Sequence, residues 1–264
     1  MGTSSPYGGR KDSSPLLPPD YDGDAAAPDQ DGEQPEAPNQ PTPQRDTPWR
    51  NVKTATSNYI TGRSSNGTSG VNHIIRSYGR ASGGTAGMMR SSGSGISAGH
   101  ALGQFLSSNP EGSEYGRINA ILQSEPDIRT ALSKIADIIS PVPEGKEDAV
   151  ARKAIVNTLC QLYDYMDANK FEITDLSNLD VSIQEQLFTT YVTEYIWGRM
   201  LNDLQVCFEK KAETPERAAE VEKDFKDYIY TKVSVEVRKS SGSASANSRF
   251  DVEKIFHDCY EVLM

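Results

Sequence analysis

The sequence predicts an all-α fold, a helical bundle of about five to six helices preceded by a long disordered Gly/Ser/Pro-rich N-terminal region. Ten of the fifteen prolines precede residue 50, and long aliphatic runs begin only near Ile118. After about residue 96 the apolar residues recur at helical spacing. A core-poor region therefore precedes a core-rich one, which explains why apolar residues make up only 36% of the chain.

The first 95 residues divide into a short peptide and a linker. Residues 1–17 are small and nearly neutral, and they form a candidate recognition or modification peptide. The linker, 18–95, is acidic and Pro-rich over 18–48 and Arg/Gly/Ser-rich over 49–95. Proline and like charges stiffen and extend such a chain, so we expect a spacer. Its only apolar island, 71–80, is interpreted as a docking segment or a transient helix.

The predicted helical domain spans 96–238 and opens with three helices. The first runs from Ile96 to Leu106. The second, Pro126–Ile139, has proline at its first helical position and carries one apolar stripe. The third, Glu147–Lys170, is amphipathic, because four apolar residues follow 4-3-4 spacing. These stripes are Ile128, Leu132, Ile135 and Ile139 in the second helix, and Ile155, Leu159, Leu162 and Met166 in the third.

The remaining helices include the centre of the bundle. Residues 181–210 are apolar on several sides, which indicates a central helix packed on more than one face. Thr214 is a helix cap with Pro215 at the first position of the next helix. Residues 232–237 alternate like a strand, but no partner strand is evident, so we keep them helical. A flexible loop over 239–248 and a C-terminal helix over 249–264 complete the chain.

Charge is unevenly distributed. The net charge of −10 lies entirely on residues 111–264, which hold 28 acids and 18 bases. A domain this acidic is a poor binder of nucleic acid by itself. Residues 47–110 contain no acid and six bases, with Trp49, Tyr59 and Tyr78 between them. They suggest single-stranded nucleic-acid binding as an alternative, although the cations are sparse and a flexible tether is the simpler interpretation.

No catalytic centre is evident, and we expect neither an enzyme nor a bound metal or cofactor. His257 and Cys259 fall on opposite flanks of a helix, whereas a structural zinc site needs four ligands. The Gly-rich stretch 79–87 has Thr85 where a phosphate-binding loop requires lysine. No apolar run is long enough to cross a membrane, and no secretory signal is seen. The three cysteines, Cys160, Cys207 and Cys259, fit reduced, buried thiols in a cytoplasmic protein.

The N-terminus itself offers a chemical group. Because Gly2 is small, Met1 should be removed, which exposes the Gly2 amine. The pattern for myristoylation requires Ser or Thr at the sixth position, where this chain has Pro6, so that modification is excluded. What remains is an unhindered amine at the end of a small-residue peptide with a long tether behind it. On sequence grounds alone, a simple disordered terminus is the preferred interpretation.

A family resemblance gives this peptide more weight. MGTSSPYGG followed by SSPLLPP (13–19) resembles the opening of QatB proteins of bacterial Qat anti-phage systems. Three segments of the predicted domain look like that family's core helices: ARKAIVNTLCQLYDYMD (151–167), LFTTYVTEYIWGRMLNDL (187–204) and FKDYIYTKV (225–233). The resemblance covers roughly 1–19 and 75–237. It departs from the family where Arg10 and Lys11 follow the paired glycines, and in the acidic spacer.

The resemblance implies a role in a four-component defence system. Its other parts would be a QueC-like enzyme (QatC-type), a P-loop ATPase (QatA-type) and a TatD-like nuclease (QatD-type). QueC-type enzymes activate a deazaguanine carboxylate with ATP so that an amine can attack it, and Gly2 would supply that amine. We therefore expect Gly2 to be the modification acceptor. The expected partner-binding residues are Thr3, Ser4, Tyr7, Gly8, Gly9, Leu16, Leu17 and Pro18.

Two alternatives remain open. The chain is either a plain helical adaptor that bridges the ATPase and the other components without being modified, or a binder of single-stranded nucleic acid through 47–110. Each differs from the acceptor hypothesis in an observable way. An adaptor would work with its N-terminus blocked, and nucleic-acid binding through cations would weaken steeply with salt.

Overall fold

The computed structural model describes residues 48–63, 67–107, 113–212, 214–241 and 250–264. These residues form ten α-helices and one 3-10 helix, without any strand, so the predicted all-α class is confirmed. The α-helices are α1 (Pro48–Ile60), α2 (Thr68–Ala81), α3 (Gly84–Arg90), α4 (Gly93–Leu106), α5 (Ser113–Ser124), α6 (Ile128–Ile139), α7 (Lys146–Asn169), α8 (Val181–Lys211), α9 (Pro215–Ser241) and α10 (Val252–Leu263). The 3-10 helix, Ile173–Asn178, lies between α7 and α8.

The prediction of a linker over 49–95 is wrong, and the predicted helix count was too low for the same reason. This stretch forms α1, α2, α3 and the start of α4. Each helix carries few apolar residues, although those of α2, which are Val71, Ile74, Ile75 and Tyr78, recur at helical spacing. Those few are nevertheless fully used: Val52, Tyr59, Ile74, Tyr78 and Met88 are all at most 1% exposed. The surface that covers them belongs to helices far along the chain, which a local pattern cannot reveal.

The glycines of α4 lie where the backbone of this helix comes close to large side chains of other helices. A Cβ atom placed on Gly95 would lie 2.2 Å from the ring of Tyr195. A Cβ on Gly99 would lie 2.9 Å from Val252 and 3.1 Å from the ring of Tyr191. Only glycine permits such an approach. The high glycine content, which predicted a flexible linker, therefore permits close packing of this helix.

The central helix is α8, as predicted. Its buried residues surround the axis, from Leu187 through Tyr191, Tyr195 and Trp197 to Phe208. It contacts α7 and α9 along its length and also meets α1 and α4. A helix buried on several faces gains its stability from packing rather than from one amphipathic stripe.

The helix boundaries show which local signals were reliable. In α9 the hydroxyl of Thr214 accepts a hydrogen bond from the backbone N–H of Arg217 at 3.2 Å, which confirms the predicted cap. Residues 232–237 are helical, as predicted. The α6 start was wrong by two residues, because Asp127 is the cap and its carboxylate accepts from the Thr130 N–H at 2.8 Å.

Two further predictions need correction. Cys207 and Cys259 are buried free thiols, but Cys160 is exposed on the outer side of α7, so only two of the three are buried. Helix α9 extends to Ser241, so 239–241 are helical rather than part of the predicted loop. The rest of that loop, 242–249, lies outside the described residues, as do the N-terminal peptide and the acidic segment up to residue 47.

Helices α1 and α2 form an antiparallel hairpin fastened to the acidic helices by tyrosines. The hydroxyl of Tyr78 donates to Asp203 on α8 at 2.7 Å, and that of Tyr59 donates to Asp224 on α9 at 2.7 Å. Arg217 of α9 donates to the carbonyl oxygens of Tyr59 and Ile60 at 2.9 and 3.0 Å. These carbonyls lie at the C-terminal end of α1, where that of Tyr59 also accepts from the Gly62 N–H at 3.1 Å, and the arginine caps the helix from outside.

Candidate partner-binding site

The residues predicted to bind a partner all precede the described part of the chain. Gly2 and the contact residues Thr3, Ser4, Tyr7, Gly8, Gly9, Leu16, Leu17 and Pro18 fall within 1–47. Their roles therefore stay predictions. The described helices contain a different candidate, a groove that the sequence did not indicate.

This groove lies where α7, α8 and α9 meet and has a volume of about 580 Å³. Its floor is apolar and comes mainly from Trp197, Leu201 and Phe208 of α8, with Val150 of α7 beside them. Trp197 is only 2% exposed, and its ring lies 5.7 Å from that of Phe208 in an edge-to-face arrangement. The floor is therefore rigid and preformed, as small binding sites usually are.

A glycine shapes one wall. Gly198 follows Trp197, and a Cβ atom there would lie 3.0 Å from Val150. That distance is tighter than ordinary van der Waals contact, so a side chain at 198 would require Val150 to shift by a few tenths of an ångström. Because residue 198 has no side chain, α7 and α8 pack closely at this point, and Leu201 still lines the groove.

One rim of the groove is a chain of hydrogen bonds that crosses three helices. Asn157 of α7 donates to Glu194 of α8 at 2.8 Å. Lys226 of α9 forms ion pairs with Glu194 at 2.8 Å and with Glu222 at 3.0 Å. The indole N–H of Trp197 donates to Glu222 at 3.3 Å. These acids are consequently committed to holding the rim together.

Burial disfavours the charged form of Lys226, but the hydrogen bonds that Lys226 donates to Glu194 and Glu222, together with their charges, outweigh it, so the pKa of Lys226 is raised. Lys226 therefore stays protonated and acts as the cation that joins the two carboxylates. The α7 side of the groove also carries Lys146 and Lys153, which are exposed and make no ion pair with a described residue. An apolar floor beside unpaired cations fits a peptide segment that carries both an apolar and an acidic group.

A second polar cluster holds α3 and α4 to the rest of the bundle. The Tyr195 hydroxyl donates to Glu147 at 2.7 Å, and the same carboxylate oxygen accepts from the Ser94 N–H at 3.1 Å. Arg199 donates to the hydroxyl of Ser92 at 2.5 Å, and that hydroxyl lies 2.7 Å from the Tyr260 hydroxyl. The cluster places a serine beside an arginine, a pair that can form part of a catalytic site.

The cluster is structural. Burial raises the pKa of Tyr195 and of Tyr260, so both hydroxyls stay protonated hydrogen-bond donors or acceptors. The Ser92 hydroxyl also lies 2.7 Å from the Met88 carbonyl oxygen and donates to it. No histidine or free carboxylate contacts Ser92 among the described residues, so the serine has no base to activate it.

Three side chains on α10 come within 4.8 Å of one another: His257, Asp258 and Glu261. They lie at the surface, where acidic groups commonly cluster without an ion. Cys259, which the sequence placed on another flank, is buried, and burial raises the pKa of its thiol. It is therefore separated from His257, as the sequence predicted.

The alternative of single-strand binding loses its stacking groups. Tyr59 and Tyr78 are 0% and 1% exposed and donate their hydroxyls to carboxylates, while Trp49 packs edge-on against Tyr78 at 5.7 Å. Two of the three rings are therefore buried and cannot stack on bases. The prediction that all three rings could stack is wrong. Among the described residues, no helix is long and apolar enough to cross a membrane.

The sequence missed the groove because it depends on how three helices cross. The Trp197–Gly198 pair was its only local signal.

Comparison with known proteins adds a finding over most of the helical region. The model of a family described as Qat anti-phage system associated protein QatB matches residues 83–263, which is more than half of the chain. No curated protein and no solved structure gave a significant match.

Proposed function

The chain belongs to the QatB family and is a component of an anti-phage defence system, and on that premise we propose that it acts as scaffold and protein substrate rather than as an enzyme. Its N-terminal Gly2 would be presented to a QueC-like partner, which would join the Gly2 amine to an activated deazaguanine carboxylate through an amide bond. ATP bound by the partner would activate the carboxylate as an acyl-adenylate and release pyrophosphate. The Gly2 amine would then displace AMP from the acyl carbon and lose a proton.

The observation that carries the proposal is how the described residues use their reactive groups. Glu147 accepts hydrogen bonds from Tyr195 and Ser94, and Ser92 is hydrogen-bonded to Arg199 and Tyr260. Glu194 and Glu222 are bound to Lys226. These groups stabilise the bundle and leave no activated nucleophile there. We therefore assign the reactive group of the chain to the N-terminal peptide, whose sequence resembles the family's opening.

The groove between α7, α8 and α9 supports the scaffold role. Its apolar floor and its unpaired Lys146 and Lys153 suit an extended segment of a partner that carries an apolar side chain and a carboxylate. We propose that the QueC-like enzyme binds there while its active site receives the N-terminal peptide. The segment up to residue 47 is long enough to join two separate contacts on one partner.

The intact mass of the full chain tests the acceptor role after co-expression with its neighbouring defence genes. We expect loss of Met1 and an added mass localised to Gly2 by tandem mass spectrometry. Gly2→Leu should abolish the adduct, because a bulky second residue blocks removal of Met1. Asp12→Asn, outside the predicted contacts, should leave the adduct unchanged. An unmodified Gly2 or a retained Met1 in the wild-type chain would contradict the proposal.

The groove itself favours the adaptor alternative as a second candidate, because a partner can bind there without any modification. The variants Lys146→Glu and Lys153→Glu, made together, test it by affinity capture of the QueC-like partner. If the pair lowers capture and defence while Gly2→Leu leaves defence intact, the chain is an adaptor. If both sets of variants abolish defence, scaffold and substrate roles coexist.

A further inference from the structure

The exposed faces of α1 and α2 carry four cations that we call the basic face: Arg50, Lys53, Arg76 and Arg80. All four are exposed. None forms an ion pair with a carboxylate among the described residues. Since Trp49 packs on Tyr78 and the Gly67 N–H donates to the Tyr59 hydroxyl at 3.3 Å, the two helices run antiparallel as neighbours.

The chemistry of this face is uniform. Spacings of three on α1 and four on α2 place each pair on one side of its helix. Hydroxyls and an imidazole share the surface, from Thr54 and Ser69 to His73, and residues 47–110 contain no acid at all. The basic face is therefore a cationic island on a chain whose net charge is −10. A ligand for it must be anionic.

The size of the face favours a short anionic ligand over a long one. Helices α1 and α2 have 13 and 14 residues, so the face is roughly 20 Å long at 1.5 Å per residue. A long nucleic acid would run off its ends onto the acidic helices. The buried Tyr59 and Tyr78 rings cannot stack on bases. A short acidic peptide fits both limits.

The chain itself supplies such a peptide directly before α1. Residues 19–46 contain eight acids and a single base, Arg45, and end two residues before Pro48, the first residue of α1. The covalent link gives this segment an effective concentration at the basic face on the order of millimolar. A separate acidic ligand would have to exceed that concentration to displace it.

We propose that the acidic segment 19–46 binds in cis to the basic face, and that this contact sets where the N-terminal peptide leaves the helical domain. Each exposed ion pair is weak and screened by salt, so the contact is reversible and depends on several pairs together. Release lengthens the tether of residues 1–18, and binding shortens it. The contact does not depend on any modification of Gly2.

Zero-length carbodiimide crosslinking of the full chain tests the contact, because Lys53 is the one lysine of the basic face. At low salt we expect crosslinks from Lys53 to acids between Asp20 and Glu36, in a yield higher than the covalent tether alone would give. Mixing ¹⁴N- and ¹⁵N-labelled chains separates crosslinks within one chain from those between chains. Lys170, exposed at the end of α7, is the comparison lysine.

Neutralising three partners of the contact should lower these crosslinks at least fivefold while leaving Lys53 in place. The variant is Arg50→Gln, Arg76→Gln and Arg80→Gln. Its control changes the net charge equally elsewhere on the surface, by Lys211→Gln, Arg238→Gln and Lys254→Gln. All six positions are exposed, and circular dichroism should confirm that both variants fold. Equal crosslinking in wild type and the basic-face variant, or equal yields at Lys53 and Lys170, would overturn the proposal.

A second measurement distinguishes the acidic segment from nucleic acid as the occupant. The probe is a fluorescent twenty-nucleotide oligothymidine. Neutralising the eight acids of 19–46 to Asn or Gln should tighten its binding at least threefold, and the gain should vanish when the three basic-face arginines are also neutralised. If the wild-type chain binds the probe as tightly as the acid-neutralised chain, the face is open to nucleic acid and the cis contact is wrong.

Discussion

Helices α1–α4 and helices α8–α10 share one core, yet they are built from opposite kinds of residue. The first group is rich in glycine and serine and lacks acids, whereas the second supplies the aromatic rings and most of the partner carboxylates. Glycine is a poor helix former. The early helices therefore owe their stability to the surface against which they pack, and the later helices supply most of that surface.

The comparison teaches that low apolar content does not imply a linker when small residues are matched by large ones elsewhere. Gly95 is complementary to Tyr195, and Gly99 to Tyr191 and Val252. Each pair combines a missing side chain with an oversized one, so the packing density is kept.

The largest effect is expected from Gly95→Ala. The new Cβ would lie 2.2 Å from a ring carbon of Tyr195, whose hydroxyl is held by Glu147, so the ring cannot simply swing away. We expect a loss of about 3 kcal/mol in the free energy of unfolding, measured by urea denaturation. Gly93→Ala is the matched control, because a Cβ there meets nothing within 4 Å. Equal stability of both variants would show that α4 does not pack as described.

A smaller effect is expected from Tyr78→Phe, which removes the hydroxyl that donates to Asp203 at 2.7 Å but keeps the buried ring. We expect a loss of about 1 kcal/mol in the free energy of unfolding. Adding Asp203→Asn to Tyr78→Phe should cost little more, since the interaction is already gone. Tyr230→Phe, on the exposed side of α9, should change nothing measurable. Additive losses in the double variant would argue against this link between the two regions.

The smallest effect concerns alkaline pH. Burial, followed by the hydrogen bond and charge of Asp224, raises the pKa of Tyr59 to about 12. A folded-state pKa above the unfolded value of about 10 stabilises the protein fully below pH 10 and loses that contribution as pH rises toward 12. The stability difference between wild type and Tyr59→Phe should therefore be constant up to pH 9.5 and shrink above pH 10. A difference that grows with pH would contradict this sign.

The sequence was sufficient where a helix carries its own pattern. The spacing of Ile155, Leu159 and Leu162 located α7, and Thr214 with Pro215 located the start of α9. It was insufficient where the partner surface lies far along the chain, as it does for Tyr59 and Tyr78. Their burial depends on α8 and α9, so their rings looked available for stacking when they were not.

The candidate groove was beyond sequence reasoning for a related reason. Lys226 pairs with Glu222 one turn away, which local spacing can suggest, but also with Glu194 on another helix. The floor depends on Gly198 meeting Val150, and therefore on the angle at which α7 crosses α8. A resemblance to a family indicated which helices matter without indicating the surface that they form together.

The separation along the chain of the α3–α4 contacts also determines when the bundle can close during synthesis. Tyr191 bonds to Gly95 across 96 residues, and Ser92 to Tyr260 across 168. At roughly 5–20 residues per second, a ribosome needs on the order of 10–30 s to make the longer stretch. Throughout that interval the N-terminal end has already emerged and the early helices have no surface to pack on. Helices α1–α4 therefore complete their packing only after α8 and α10 have been made.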